Sequence, residues 1–226
     1  MTATALATRE RLLTAARELI DEGGYGATSV LAIADRAGVA SGTLYRHFAS
    51  KEELFVELFR DVCVREDRAI AAVVDQMHET ASATELVEAV VATFAQRALR
   101  NRRLAWALLA EPVDPRVDAE RLAYRARSTE RIAAILQRGI DGNEIPAQHV
   151  NLTAAALVGA CGEALVGPLS PLGDSRPDAG EVVGALRAFV RRAVGAAETS
   201  GSAGTSAAAG APATTGAREV TPPRPA

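Results

Sequence analysis

TSVLAIADRAGVASGTLYRHFASKEELF, residues 28–55, carries two short apolar stripes separated by one glycine. Val30, Ile33, Ala34 and Ala37 recur at helical spacing, and Thr28 or Ser29 offers a hydroxyl to cap that helix. Gly38 ends it after two turns. Val39 follows, and a second short helix runs from Ala40 or Ser41 to near Phe48. Two short helices joined by a tight glycine turn form a helix-turn-helix. Small Ala34 lets the two approach, and Val39 and Leu44 fill the space between them. Ser50-Lys51-Glu52-Glu53 then reads as a capping box. It opens a long helix with Leu54, Phe55, Leu58, Phe59 and Val62 on its apolar side.

A glycine turn between helices is common, so the hairpin alone does not separate a DNA reader from an ordinary helical corner. The second helix supplies the chemistry. Ser41, Gly42 and Thr43 are small or hydroxylated, so its N-terminus can approach a surface closely. That end carries free N–H groups and partial positive charge, suited to phosphates and base edges. A recognition helix points it into the major groove. Tyr45, Arg46, His47 and Lys51 add polar donors of graded length for flanking phosphates. Arg36 to Lys51 contains three formal cations, one histidine and no acid, a locally basic face in a chain of net charge −3.

The helical pattern continues on both sides. Leu12, Leu13, Ala16, Leu19 and Ile20 form one face of a helix from about Thr8 to Glu22, which Gly23-Gly24 ends. Downstream, helical segments span about 83–101, 103–110, 116–140, 151–169 and 178–197, with EPVDP (111–115) and DGNEIP (141–146) as breaks. Leu122, Ile132, Ile135 and Leu136 are the apolar positions of the long 116–140 helix, and Pro146 suits a first helical turn. The expected fold is all-α with about nine helices. Residues 1–7 read as a disordered arm, 8–50 as a three-helix module, 51–197 as a larger helical domain, and 198–226 as a disordered Ala/Gly/Ser/Thr/Pro-rich tail.

The 226 residues are 48% hydrophobic but only 4% aromatic, so the core is built from Ala, Leu and Val. Lys51 is the single lysine, a bias that GC-rich coding explains. Cys63 and Cys161 are far apart, and no segment reads as a secretion signal, which points to reduced thiols and a cytoplasmic protein. No apolar run is read as a membrane span. His78 and His149 have no partners at ligand spacing, so neither a metal nor another cofactor is expected. No Ser-His-Asp set, phosphate-binding glycine loop or CxxC motif is present, which speaks against an enzyme.

Residues 28–55 resemble the N-terminal domain of the TetR family of bacterial transcription regulators. The resemblance rests on Ala34, Gly38-Val39, Gly42-Thr43-Leu44-Tyr45, His47-Phe48 and Lys51-Glu52-Glu53-Leu54, and extends upstream through RERLLTAARELIDEGGYGATSV. It covers about Thr8 to Phe59; the later helices match the family only in number, length and order. It implies that Thr28 and Ser29 contact phosphate, that Ser41, Gly42 and Thr43 read bases, and that Tyr45, His47 and Lys51 clamp phosphate. Arg46 could reach either. Ala40 stands where the family often has serine, and Ser41 where it often has a longer polar side chain. Leu31 stands where some members place a polar reader; it either meets a thymine methyl or packs on the first helix.

The resemblance further implies a homodimer on a palindromic operator of double-stranded DNA, released as a repressor by a small-molecule effector. The helices at 151–169 and 178–197 are the interface candidates, since their Ala and Gly positions permit close approach. Phe94, Trp106 and Tyr124 are the large aromatics available to a ligand chamber, and Glu163 is a carboxylate in an otherwise apolar helix. Glu163 could face a ligand, a dimer partner or solvent. The alternative is a helical small-molecule carrier or enzyme whose first module is only structural.

Overall fold

The computed structural model describes residues 3–172 and 176–195. The tail expected at 198–226 and the end of the last expected helix lie outside them. The described residues form nine helices and no strand: α1 (Ala3–Gly23), α2 (Val30–Arg36), α3 (Ser41–His47), α4 (Lys51–Met77), α5 (Ala83–Arg100), α6 (Arg102–Leu109), α7 (Pro115–Asp141), α8 (Val150–Leu169) and α9 (Ala179–Ala193).

Local chemistry sets the boundaries. α1 starts at Ala3, not at Thr8: Ala3, Ala5, Leu6 and Ala7 are good helix formers, and the Thr8 hydroxyl donates back to the Thr4 carbonyl at 3.0 Å. The helix covers most of the span read as a disordered arm. Gly24 (φ +82°) and Gly38 (φ +64°) take the left-handed conformations that end α1 and turn α2 into α3. Ser29, not Thr28, caps α2, accepting from the Ala32 N–H at 3.1 Å. Ala40 leaves α3 without a side-chain cap. At α4 the Ser50 hydroxyl accepts from the Glu53 N–H at 3.1 Å, while the Glu53 carboxylate accepts from Ala49 rather than Ser50, at 2.6 Å. Pro146 lies in the loop before α8, whose cap is His149. Leu122 is exposed, and Val117 takes the buried place near the start of α7.

Two hydrophobic clusters organise the packing. The first joins α1, α2 and α3 to the first half of α4 and to Leu104, Ala107 and Leu108 of α6. The second gathers α5, α7, α8 and α9, with Ile70 from the second half of α4. Packing therefore runs without a gap across residue 50, and α4 belongs to both cores. Burial pushes the Cys63 thiol up to about 12 and the Cys161 thiol up to about 11; both are free thiols.

α8 departs from expectation. Among the described residues it is the one helix long and apolar enough to cross a membrane by length and composition. One side packs against α7 through Ala154, Leu157, Cys161 and Leu165. Its other side, including Ala155, Ala156, Gly159, Ala160 and Ala164, is exposed.

Candidate nucleic-acid interface and ligand chamber

α3 is anchored by Leu44 and the following Phe48, which are 0% and 1% exposed and sit in the first cluster. That anchoring fixes which side chains point out. Gly42, Tyr45 and Arg46 are exposed, and Ser41, Thr43 and His47 are half-buried. Leu31 on α2 is 60% exposed, so the alternative that it packs on α1 is not the arrangement found. Ser29 is exposed beside it.

Two of the expected phosphate contacts are turned inward. Thr28 is 3% exposed; its hydroxyl donates to the Gly24 carbonyl at 2.9 Å and its N–H to the Tyr25 carbonyl. It closes the α1–α2 turn rather than facing outward. Lys51 donates from Nζ to the Tyr25 carbonyl at 2.9 Å and lies 4.0 Å from the centre of the Tyr25 ring. Burial there lowers its pKa. Tyr25 itself packs its ring at a tilt against Phe55, centres 4.5 Å apart, and burial pushes its phenol up to about 12.

The basic face is thinner than a count of cations suggests. Arg36 is drawn back onto α1 by a two-pronged pair with Glu22, both bonds 2.9 Å, and by Glu18 at 3.3 Å. Arg46 carries no ion pair or hydrogen bond among the described residues. Arg11 is exposed but engaged, donating to the Ala37 and Gly38 carbonyls at the end of α2.

A cavity of about 300 Å³ lies between α4, α5, α7 and α8. Phe94, Tyr124 and Glu163 line it, with Arg125, Ser128 and Arg131 as its other polar groups. Trp106 does not line it; the ring packs against the second hydrophobic cluster. Glu163 and Arg125 are exposed, which puts one charge of each sign at the rim. A smaller cavity of about 80 Å³ shares Phe94, Tyr124 and Leu109 as walls.

Among the described residues the buried carboxylate is Glu88, 7% exposed on α5 and paired with Arg191 of α9 through two bonds of 2.9 Å. Sequence reading passed over it because both residues sit at ordinary polar positions of separate helices. Arg97, Arg100, Arg102 and Arg103 lie close together in the sequence, and two of them are tied to the fold. Arg97 pairs with Glu66 at 2.5 Å, and Arg102 donates to the carbonyls of Pro168 at 2.7 Å and Pro177 at 3.0 Å.

One further connection escaped the sequence, where residue 111 is simply part of a break. The Glu111 carboxylate accepts from the backbone N–H groups of Tyr25 and Gly26, each at 3.2 Å. Arg121 of α7 grips the same loop, donating to the carbonyls of Leu108 (2.7 Å), Glu111 (2.9 Å) and Ala107 (3.2 Å). Ala110 lines the larger cavity. The chamber wall is thus tied through Glu111 to the turn that precedes α2. Glu111→Ala removes two charge-assisted bonds at a partly solvated site, about 1 kcal/mol in all. The expected result is a melting midpoint about 2–4 °C lower, with faster amide exchange at Tyr25 and Gly26. Unchanged exchange at those two amides would show that the tie contributes nothing to the turn.

Comparison with known proteins agrees with this geometry. Residues 12–58 match the family of bacterial regulatory proteins, tetR family. The HTH-type transcriptional regulator UidR of Escherichia coli K12 is 35% identical over 96 residues, 41% of this chain and 47% of UidR. The HTH-type transcriptional repressor KstR2 of Mycobacterium tuberculosis is 54% identical over 52 residues, 23% of this chain and 26% of KstR2. The chain therefore spans less than half the length of these relatives. The fatty acid degradation regulator FadR from Bacillus halodurans superposes with a TM-score of 0.69 at 21% identity, covering 80% of this chain and 93% of FadR; that likeness is one of fold. Residues 12–58 are thus a helix-turn-helix domain of the tetR family of bacterial regulatory proteins, and the helices that follow share the fold of such regulators.

Proposed function

We propose that the protein is a homodimeric, DNA-binding transcriptional repressor that a small-molecule ligand releases from a palindromic operator. The observation that carries this reading is the outward face of α3: Gly42, Tyr45 and Arg46 exposed on a helix held by buried Leu44. KstR2, whose matched segment is 54% identical, is itself a repressor by name. Ser41, Gly42 and Thr43 read base edges, Tyr45, Arg46 and His47 reach phosphate, and Leu31, exposed beside them, meets a thymine methyl. Thr28 and Lys51 serve by shaping the turn under these residues.

A single α3 covers few base pairs, and a two-fold dimer doubles the reading. The exposed small-residue side of α8 supports the dimer, together with Phe189 of α9. A Cβ built at Gly159, Gly162, Gly167 or Gly184 meets nothing within 4 Å of this chain, so a partner helix has room to come close. A ligand in the chamber favours one arrangement of α7 and the loop at Glu111, and by linkage opposes DNA. A carrier or enzyme would account for the chamber but not for the exposed α3 face.

The test is titration of the purified protein with an inverted repeat from its own upstream region. Binding should weaken steeply as salt rises. Binding that is absent, or insensitive to salt, overturns the reading.

A further inference from the structure

We propose that the chamber takes an apolar small molecule ending in a carboxylate, and that Arg131 and Tyr124 receive that carboxylate. The inference rests on the ligand-released reading above and names the chemistry of the ligand.

Two residues that line the chamber each hold a polar atom with no hydrogen-bond partner, and neither atom is exposed to solvent as the side chains stand: Arg131 Nη1 and Tyr124 Oη. Buried polar atoms are nearly always paired, and leaving one unpaired is costly. Both want the same kind of partner. A guanidinium nitrogen only donates. The Tyr124 phenol keeps its proton, because burial first and nearby Asp67 second raise its pKa. The two residues are seven apart on α7, two helical turns along one face, and the arginine side chain slopes back toward the helix N-terminus. An oxygen acceptor satisfies this pair, whereas an ammonium head would bring more donors to a place that already has two.

Charge narrows the acceptor to an anion. Asp67 lies 2.9 Å from Arg131 and 3.6 Å from Arg127, so two guanidiniums share one carboxylate. A ligand carboxylate restores the balance and pairs with the free edge of Arg131. The rim charges, Arg125 and Glu163, are exposed and of opposite sign, so they cancel rather than dictate the head group. The remaining walls call for an apolar body: Ile70, Val90, Val91, Phe94 and Leu157. The volume of about 300 Å³ suits a compact or medium-length chain, and the smaller cavity behind Phe94 and Tyr124 gives a longer chain somewhere to extend.

The experiment is calorimetric titration of the full chain, without DNA, using decanoate, methyl decanoate and decylamine. Decanoate should bind about tenfold tighter than its methyl ester, and decylamine most weakly, as a charge-assisted bond implies. Tyr124→Phe removes only the hydroxyl and should weaken decanoate about tenfold at an unchanged melting midpoint. Arg131→Gln should erase most of the gap between acid and ester. Equal binding of the three probes, or decanoate binding that survives both substitutions, overturns the proposal. Because no DNA is present, a failed operator assay leaves this result standing. Failure here with operator binding intact leaves the repressor reading standing with a different ligand.

Discussion

The Tyr45→Ala, Arg46→Ala double variant is expected to lose about a thousandfold in operator affinity while melting within about 1 °C of the unaltered protein. Each exposed contact is worth about 1 kcal/mol, and two side chains in each subunit of the proposed dimer give about 4 kcal/mol. Stability is spared because both side chains are exposed and neither makes an intramolecular hydrogen bond among the described residues. The salt slope should also fall, by about 1 for each phosphate contact removed. Anisotropy titrations at several salt concentrations measure both quantities. Lys51→Ala is the informative contrast. Its ammonium holds the Tyr25 carbonyl and ring, so affinity and melting midpoint should drop together. A double variant that binds its operator normally would remove α3 from the interface.

The second large effect concerns stability. Gly139 sits in α7 where that helix crosses the start of α5. A Cβ there would lie 2.4 Å from the Ala83 Cβ and 3.2 Å from Ile145 Cγ1. Neither neighbour has room to yield. Ala83 is fully buried at the first turn of α5 and its N–H is held by Glu144, while the Glu144 N–H donates to the Gly139 carbonyl at 2.8 Å. Gly139→Ala gains about 1 kcal/mol of helix propensity. Against that, it forces two backbones apart, for a net loss of about 2 kcal/mol. The melting midpoint should fall by about 4–8 °C, as read by thermal circular dichroism. Gly159→Ala on α8, whose Cβ meets nothing within 4 Å, should leave the midpoint of the single chain unchanged or slightly raised. A Gly139→Ala midpoint equal to that of the unaltered protein would refute the close crossing.

Both results depend on how much of the molecule is written in short-range pattern. The helix-turn-helix was legible because its signals are local. Gly38 needs a positive φ, Leu44 and Phe48 repeat at helical spacing, and Ser29 caps the helix after it. The outward set on α3 is settled once Leu44 is inside. Helix ends were less legible where two local rules compete. Pro146 satisfies the rule for a first turn, yet the chain turns again and α8 waits for His149. Leu122 fits an apolar stripe by spacing but faces out, because α7 leans on its neighbours mainly through its second half.

Roles that depend on a distant partner were not legible. Lys51 and Arg36 read as free cations until the fold put Tyr25 beside one and Glu22 beside the other. Glu163 looked like the costly acid, but it is exposed at the chamber rim, while Glu88 is buried and met by Arg191 across 103 positions of sequence. Glu111 meets Tyr25 across 86 positions, and Arg131 meets Asp67 across 64.

The sequence by itself determined the helices, the turn at Gly38 and the outward side of α3, because caps, periodicity and left-handed glycines act within a few residues. The tertiary structure decided which charges are spent on the protein and which remain for a partner. Ion pairing and desolvation depend on distances between segments, and those exist only once the helices have packed.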